Sequence, residues 1–244
     1  MSQPPPPAPA TESARLSAPD PAPLGLAAFG MANLAQSFFG SGVDPTLNPA
    51  AFPLEFLTGG IVQLIAGIVE FRQGSRLGAT AFSLYGSYWM SFAVYSRFIV
   101  RTLPAGQVHS ATGYFLLPWT ILTVVLTFAA LRTTLVLLLA FVCAAMAFIF
   151  GTAGQFLQSG SLLLVGGSFG FLTAAVGLYA ALAGLVNGTW GRHVLPTLPD
   201  PGRRLAHLAF DKARPSSITS SAGEAELARE AAHEAATLLR GRRD

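Results

Sequence analysis

The sequence predicts an all-α integral membrane protein with six transmembrane helices. Three observations carry that reading. Hydrophobic residues make up 52% of the 244 and charged residues only 11%, with a mean hydropathy of +0.51. An ordinary soluble domain carries about 25% charged residues. Of the 15 basic and 12 acidic side chains, only eight (Asp44, Glu55, Glu70, Arg72, Arg76, Arg97, Arg101 and Arg132) lie between Leu24 and Gly191. Finally, six apolar runs approach the roughly 20 residues of helix needed to cross a hydrocarbon core about 30 Å thick. This composition argues against a soluble enzyme or a nucleic-acid binder. The net charge of +3 and pI near 9.4 come from arginines scattered through loops and tails.

The six runs are Leu24–Phe39, Leu54–Phe71, Gly78–Val100, Gly113–Leu131, Thr133–Phe150 and Leu162–Val186. They are far too long for barrel strands, so closed backbone hydrogen bonding in lipid leaves helices. Turn chemistry separates them, as in Gly40-Ser41-Gly42-Val43-Asp44-Pro45 and Arg72-Gln73-Gly74-Ser75-Arg76. Residues 1–23 are Pro-rich with no apolar signal-like stretch, and are expected to form a disordered cytoplasmic tail. Residues 24–196 form the predicted membrane domain and 197–244 a second cytoplasmic tail. Within that tail Ser221 and Glu224 have capping-box spacing, which predicts a short helix over 222–241.

Run one places Phe29, Asn33 and Gln36 on one helical face. Its two amides suit interhelical hydrogen bonds or a wet lining, and spacing alone leaves both open. Run two aligns Gly59, Gly60, Gln63, Gly67 and Glu70. The glycines point to close helix approach, and Gln63 needs a partner or water. Glu70, two residues before Arg72 at the cytoplasmic end, is expected to be a simple interfacial carboxylate, and Glu55 near the outer mouth is expected to be solvated. In run three, Arg97 and Arg101 are expected to snorkel at the outer end. Run four carries Thr120, Thr123 and Thr127 on one face, a weak pore signal because threonine hydroxyls return to their own helix carbonyls. In run six, Gly166, Gly170, Thr173 and Gly177 form a small-residue packing face.

Cytoplasmic placement of both termini puts Arg15, Arg72, Arg76, Arg132, Arg192, Arg203 and Arg204 inside, leaving Arg97 and Arg101 outside. The lone Cys143 excludes disulfides within the chain. The four histidines all fall outside the runs, so neither a metal site nor a cofactor is expected. There is no P-loop and no nucleophile–base constellation, so the chain is read as a non-enzyme. Glu55 and Glu70 sit near helix ends rather than at the midplane, so no single carboxylate is expected to be essential as a proton carrier. What remains suits conduction of a small solute.

Asp20-Pro-Ala-Pro-Leu-Gly-Leu26, followed by Phe29-Gly30-Met31, resembles the N-terminal signature of the acetate uptake transporter family, the succinate–acetate permeases. Asp20 stands where that signature has asparagine. Two further blocks are similar to the family: Gly59 through Arg72 and on from Gly74 to Trp89, and Gly191-Arg192-His193-Val194-Leu195-Pro196. The resemblance covers about residues 20–196. It implies a six-helix protomer assembling as a homo-hexamer, with one pore per subunit, in the plasma membrane. It also implies passage of acetate or succinate through a constriction of one phenylalanine, one tyrosine and one leucine. The matching positions are Phe29, Tyr85 and Ala144, the last a methyl in place of an isobutyl group. Tyr85 would offer its hydroxyl to a carboxylate. Asn33, Gln63, Thr80 and Thr120 are the expected polar lining that meets the solute. Competing readings are a permease for another small solute, such as succinate or an ammonium-related species, and a non-transporting membrane scaffold or sensor.

Overall fold

Asp20 starts the first helix: its carboxylate accepts the Ala22 N–H at 2.9 Å. Aspartate and asparagine cap equally well, so the departure from the signature costs nothing at this step. Helix α1 (Ala22–Gly40) therefore begins two residues inside the expected tail. The computed structural model describes residues 19–40 and 49–198, all within one unit, Met1–Pro201. The predicted helix over 222–241 and most of the N-terminal tail lie outside the described residues.

A continuous helical segment covers Pro49–Gln73. Its middle is a π-helical stretch, Leu54–Val62, which feeds directly into α2 (Gln63–Gln73). Gly74 ends α2 at φ +80°, a left-handed conformation that glycine enters without a Cβ penalty. Helix α3 (Arg76–Val94) continues as a π-helical turn, Tyr95–Ile99, and a tight turn, Val100–Thr102. Helices α4 (Val108–Ala130), α5 (Leu135–Phe156) and α6 (Gly160–Trp190) follow. Thr134 and Ser159 cap α5 and α6 by accepting the amides of Leu137 and Leu162. No strand occurs among the described residues.

Four segments are long and apolar enough to cross a membrane: Pro49–Gln73, Ala105–Ala130, Leu135–Phe156 and Gly160–Trp190. Helices α1 and α3 are the other two expected spans, and they fall short of that composition. The reason is physical. Asn33 and Gln36 lower the hydropathy of α1, as Arg76 and the serines and tyrosines lower that of α3, and much of this polarity faces the interior. A helix shielded by its neighbours need not be apolar all round.

The helices close a circuit: α1 packs on α2 and α6, α6 on α5, α5 on α4, and α3 joins α2 to α4. Alanine dominates the buried positions, while large side chains such as Phe71, Phe128 and Leu185 are exposed on outer faces. That arrangement suits a lipid surround, since lipid removes the penalty for apolar surface. Glycines set the spacing. At Gly86 a Cβ would lie 2.8 Å from both Gly60 O and Leu64 N, so α3 touches α2 backbone to backbone. The expected packing face of α6 is also in place. Gly166 lies against Gly151 of α5, Gly170 against Ser37 of α1, and Gly177 against Phe29.

The segment after α6 is pinned rather than loose. Asn187 Oδ1 accepts the amides of Val194 and Leu195, its Nδ2 donates to Leu195 O, and the Tyr179 hydroxyl donates to Pro196 O. This holds Thr197 and Leu198, whose carbonyls accept the first amides of α5.

Candidate functional site

Two cavities enter the bundle from opposite ends, and Phe29 and Tyr85 line both. The near cavity, about 180 Å³, lies at the end where α1 begins, among Leu26, Gln63, Glu70, Ser75, Gly78 and Phe141. The far cavity, about 330 Å³, lies among Asn33, Gln36, Trp89, Ala144, Phe148 and Gln155. Between them the rings of Phe29 and Tyr85 stand 5.2 Å apart at 36°. Both side chains are buried in one apolar cluster with Ala81, Leu126, Ala130, Phe141 and Ala144. This cluster is the waist of the bundle.

Each ring is held by a different device. Phe29 lies over Gly177 of α6, where a Cβ would sit 3.4 Å from its ring. Tyr85 donates its hydroxyl to Thr123 Oγ1 at 2.9 Å, and Thr123 donates to Trp119 O at 2.7 Å. The hydroxyl proton that was expected to meet a carboxylate is thus engaged inside the protein. Ala144 is buried beside the far cavity, and the bulk it lacks is present one turn to either side on α5. Phe141 faces the near cavity, its ring 6.4 Å from that of Tyr85, and Phe148 faces the far cavity. Neither was singled out from sequence, although spacings of three and four residues from Ala144 place both on its face.

The polar lining is divided. Gln63 is wholly buried and borders the near cavity, and neither amide atom has a hydrogen-bond partner. Asn33 borders the far cavity, and its Nδ2 donates to Phe29 O of its own helix at 2.9 Å. Gln36 Oε1 and Trp89 Nε1, on residues that line the same cavity, are buried without partners. The remaining two expected residues are not brought to either cavity. Thr80 is exposed on the outside of α3. Thr120 donates to Leu116 O of its own helix and reaches Thr152 Oγ1 at 2.7 Å. Thr127 likewise donates to Thr123 O and Phe141 O, so the threonine face fastens α4 to α5.

The two carboxylates correct the sequence reading. Glu55, expected in solvent, and Glu70, expected at the interface, are 2% and 4% exposed. Glu55 sits in the π-helical stretch with Oε1 unpartnered. Glu70 is covered because the first turn of α3 has no side chain at the contact: a Cβ on Gly78 would lie 2.6 Å from Glu70 Cδ. A position near the end of an apolar run says where a residue is along its helix, not what covers it.

A family profile described as the GPR1/FUN34/yaaH family matches residues 4–201. An uncharacterized protein of Methanothermobacter thermautotrophicus is 31% identical over 73% of this chain and 90% of its own length. Acetate permease A of Emericella nidulans is 31% identical over 75% of this chain, which spans 66% of that protein. The succinate-acetate/proton symporter SatP of Escherichia coli K12 is 28% identical over 72% of this chain and 94% of its own length. A solved structure, titled as that of the bacterial acetate channel SatP, superposes with a TM-score of 0.69 at 28% identity. It covers 74% of this chain and 99% of the other.

Proposed function

We propose that this chain, which belongs to the GPR1/FUN34/yaaH family, moves acetate and similar small carboxylates across a membrane. The observation that carries the reading is the shared position of Phe29 and Tyr85 between two opposed cavities. A solute passing from one cavity to the other meets a short apolar waist. An ion must shed water there, and small size with one apolar end lowers that cost. The methyl of acetate suits the rings of Phe29, Tyr85 and Phe141. Its carboxyl suits the unpartnered amide of Gln63 on one side, and Asn33 and Gln36 on the other. Passage needs no bond chemistry, so the role is transport rather than catalysis.

The same proposal gives the chain six membrane-spanning helices over 24–196, with tails 1–23 and 197–244 in the cytoplasm. Arg72, Arg76, Arg132 and Arg192 cluster at the end where α1 begins, which supports a cytoplasmic near cavity. Arg97 and Arg101 then mark the outer end of α3. The exposed apolar faces serve lipid and subunit contacts alike in a homo-hexamer of the plasma membrane, each protomer keeping its own waist.

The test is uptake of labelled acetate into liposomes containing the full chain. Initial rates above those of empty vesicles, reduced by competing unlabelled acetate, support the proposal. Rates equal to empty vesicles reject it in favour of a scaffold.

A further inference from the structure

Glu70 brings an ionisable group onto the near cavity. Its side chain is 4% exposed and borders that cavity with Gln63, Ser75 and Gly78. The carboxylate rests on Gly78, and a Cβ there would also meet Ser75 Oγ at 2.8 Å, so the seat is tight. Among the described residues no side chain hydrogen-bonds or ion-pairs with this carboxylate. The charged groups on surrounding elements are Arg72 on α2, Arg76 on α3, Asp20 before α1 and Arg132 before α5, all exposed. Tyr85 is the titratable group on the opposite wall.

We propose that Glu70 is the group that couples carboxylate passage to a proton. The inference rests on the transport reading above and adds a residue and a rule to it. A cavity of about 180 Å³ with mostly apolar walls holds two carboxylates badly. Their charges repel in surroundings that screen them weakly, and one proton shared between them replaces repulsion with a charge-assisted hydrogen bond. The charged Glu70 therefore turns away a bare anion and admits the protonated acid. In the cavity the solute's carboxyl gives its proton to the Glu70 carboxylate. The solute leaves as an anion through the near mouth, and Glu70 then releases the proton to the same side. One O–H bond breaks and one forms at each transfer, and Glu70 ends as it began. Each solute anion is accompanied by one proton.

Glu70→Gln keeps the shape in the Gly78 seat and removes the charge, so it separates the two functions. Liposomes containing the full chain are clamped at zero membrane potential and read in two ways: acetate exchange at equal pH, and accumulation driven by an imposed pH gradient, each corrected for empty vesicles. The variant is expected to lose gradient-driven accumulation by about tenfold or more relative to its own exchange rate. Accumulation equal to the parent overturns the inference, as does loss of exchange in a variant that inserts. Parent protein that exchanges acetate yet never accumulates it overturns the coupling and leaves transport standing. Parent protein that does not exchange overturns both. If Glu70→Gln does not insert, Glu70→Asp decides. Its retracted carboxyl should lower accumulation relative to exchange, and an unchanged ratio overturns the inference.

Discussion

The Tyr85 hydroxyl donates to Thr123 Oγ1 across 2.9 Å, linking α3 to α4 at the level of the waist. Tyr88 also packs on Phe115 and Trp119, and Phe92 on Phe115, between those two helices, and the hydrogen bond fixes where the Tyr85 hydroxyl points. It also removes the ring's only donor from the solute path. Tyr85 therefore works by the volume and position of its ring, and Thr123 works by holding it.

Tyr85→Phe tests that division. The ring remains and one buried hydrogen bond is lost, a cost of about 1 kcal/mol. Acetate flux should stay within about threefold of the parent, because that cost equals less than a factor of ten in any equilibrium. Tyr85→Ala and Phe29→Ala should insert normally and raise passage of bulkier acids relative to acetate. Abolition of flux by Tyr85→Phe would mean that the hydroxyl meets the solute after all.

Ala144 offers the converse change. Leucine there adds three carbons to a buried position between Phe141 and Phe148, beside the far cavity. Added bulk in a narrow passage acts first on the widest solute. Ala144→Leu should therefore reduce succinate flux more than acetate flux in parallel uptake assays. Equal reductions would place residue 144 off the path.

How much of this was legible in the sequence differs by feature. The helices were, because apolar run length is a local property that lipid thickness constrains. Phe29, Tyr85 and Ala144 came from motif resemblance, and their places at one waist depend on tertiary packing that no run reveals. Thr80 shows what a motif omits. It lies five residues before Tyr85, about 140° around the helix at 3.6 residues per turn, and so on another face. The burial of Glu70 was out of reach for another reason. It depends on Gly78 having no side chain, and that matters only once α2 and α3 are packed.

Packing at that α2–α3 contact makes its own prediction. A methyl on Gly86 would meet backbone atoms of Gly60 and Leu64 at 2.8 Å, and backbone there has no rotamer by which to give way. Gly86→Ala should destabilise the protein by about 1–3 kcal/mol. Gly188, with nothing within 4 Å of an added Cβ, provides the control. In detergent, Gly86→Ala should melt below the parent and Gly188→Ala should not.

The last prediction concerns Gln63. Its side chain is fully buried with both amide atoms unpartnered, beside the near cavity. A buried amide with no partner costs about 1–3 kcal/mol, and an apolar side chain of similar size removes that cost. Gln63→Leu should therefore melt at or above the parental temperature. If the amide is kept because it hydrogen-bonds a passing carboxyl, the same variant should transport acetate several-fold more slowly despite its stability. Stability and flux then move in opposite directions, which a purely structural glutamine does not produce. Thermal unfolding and labelled acetate uptake on one preparation read both. A variant that is less stable, or one that is stable and transports like the parent, would return Gln63 to a packing role.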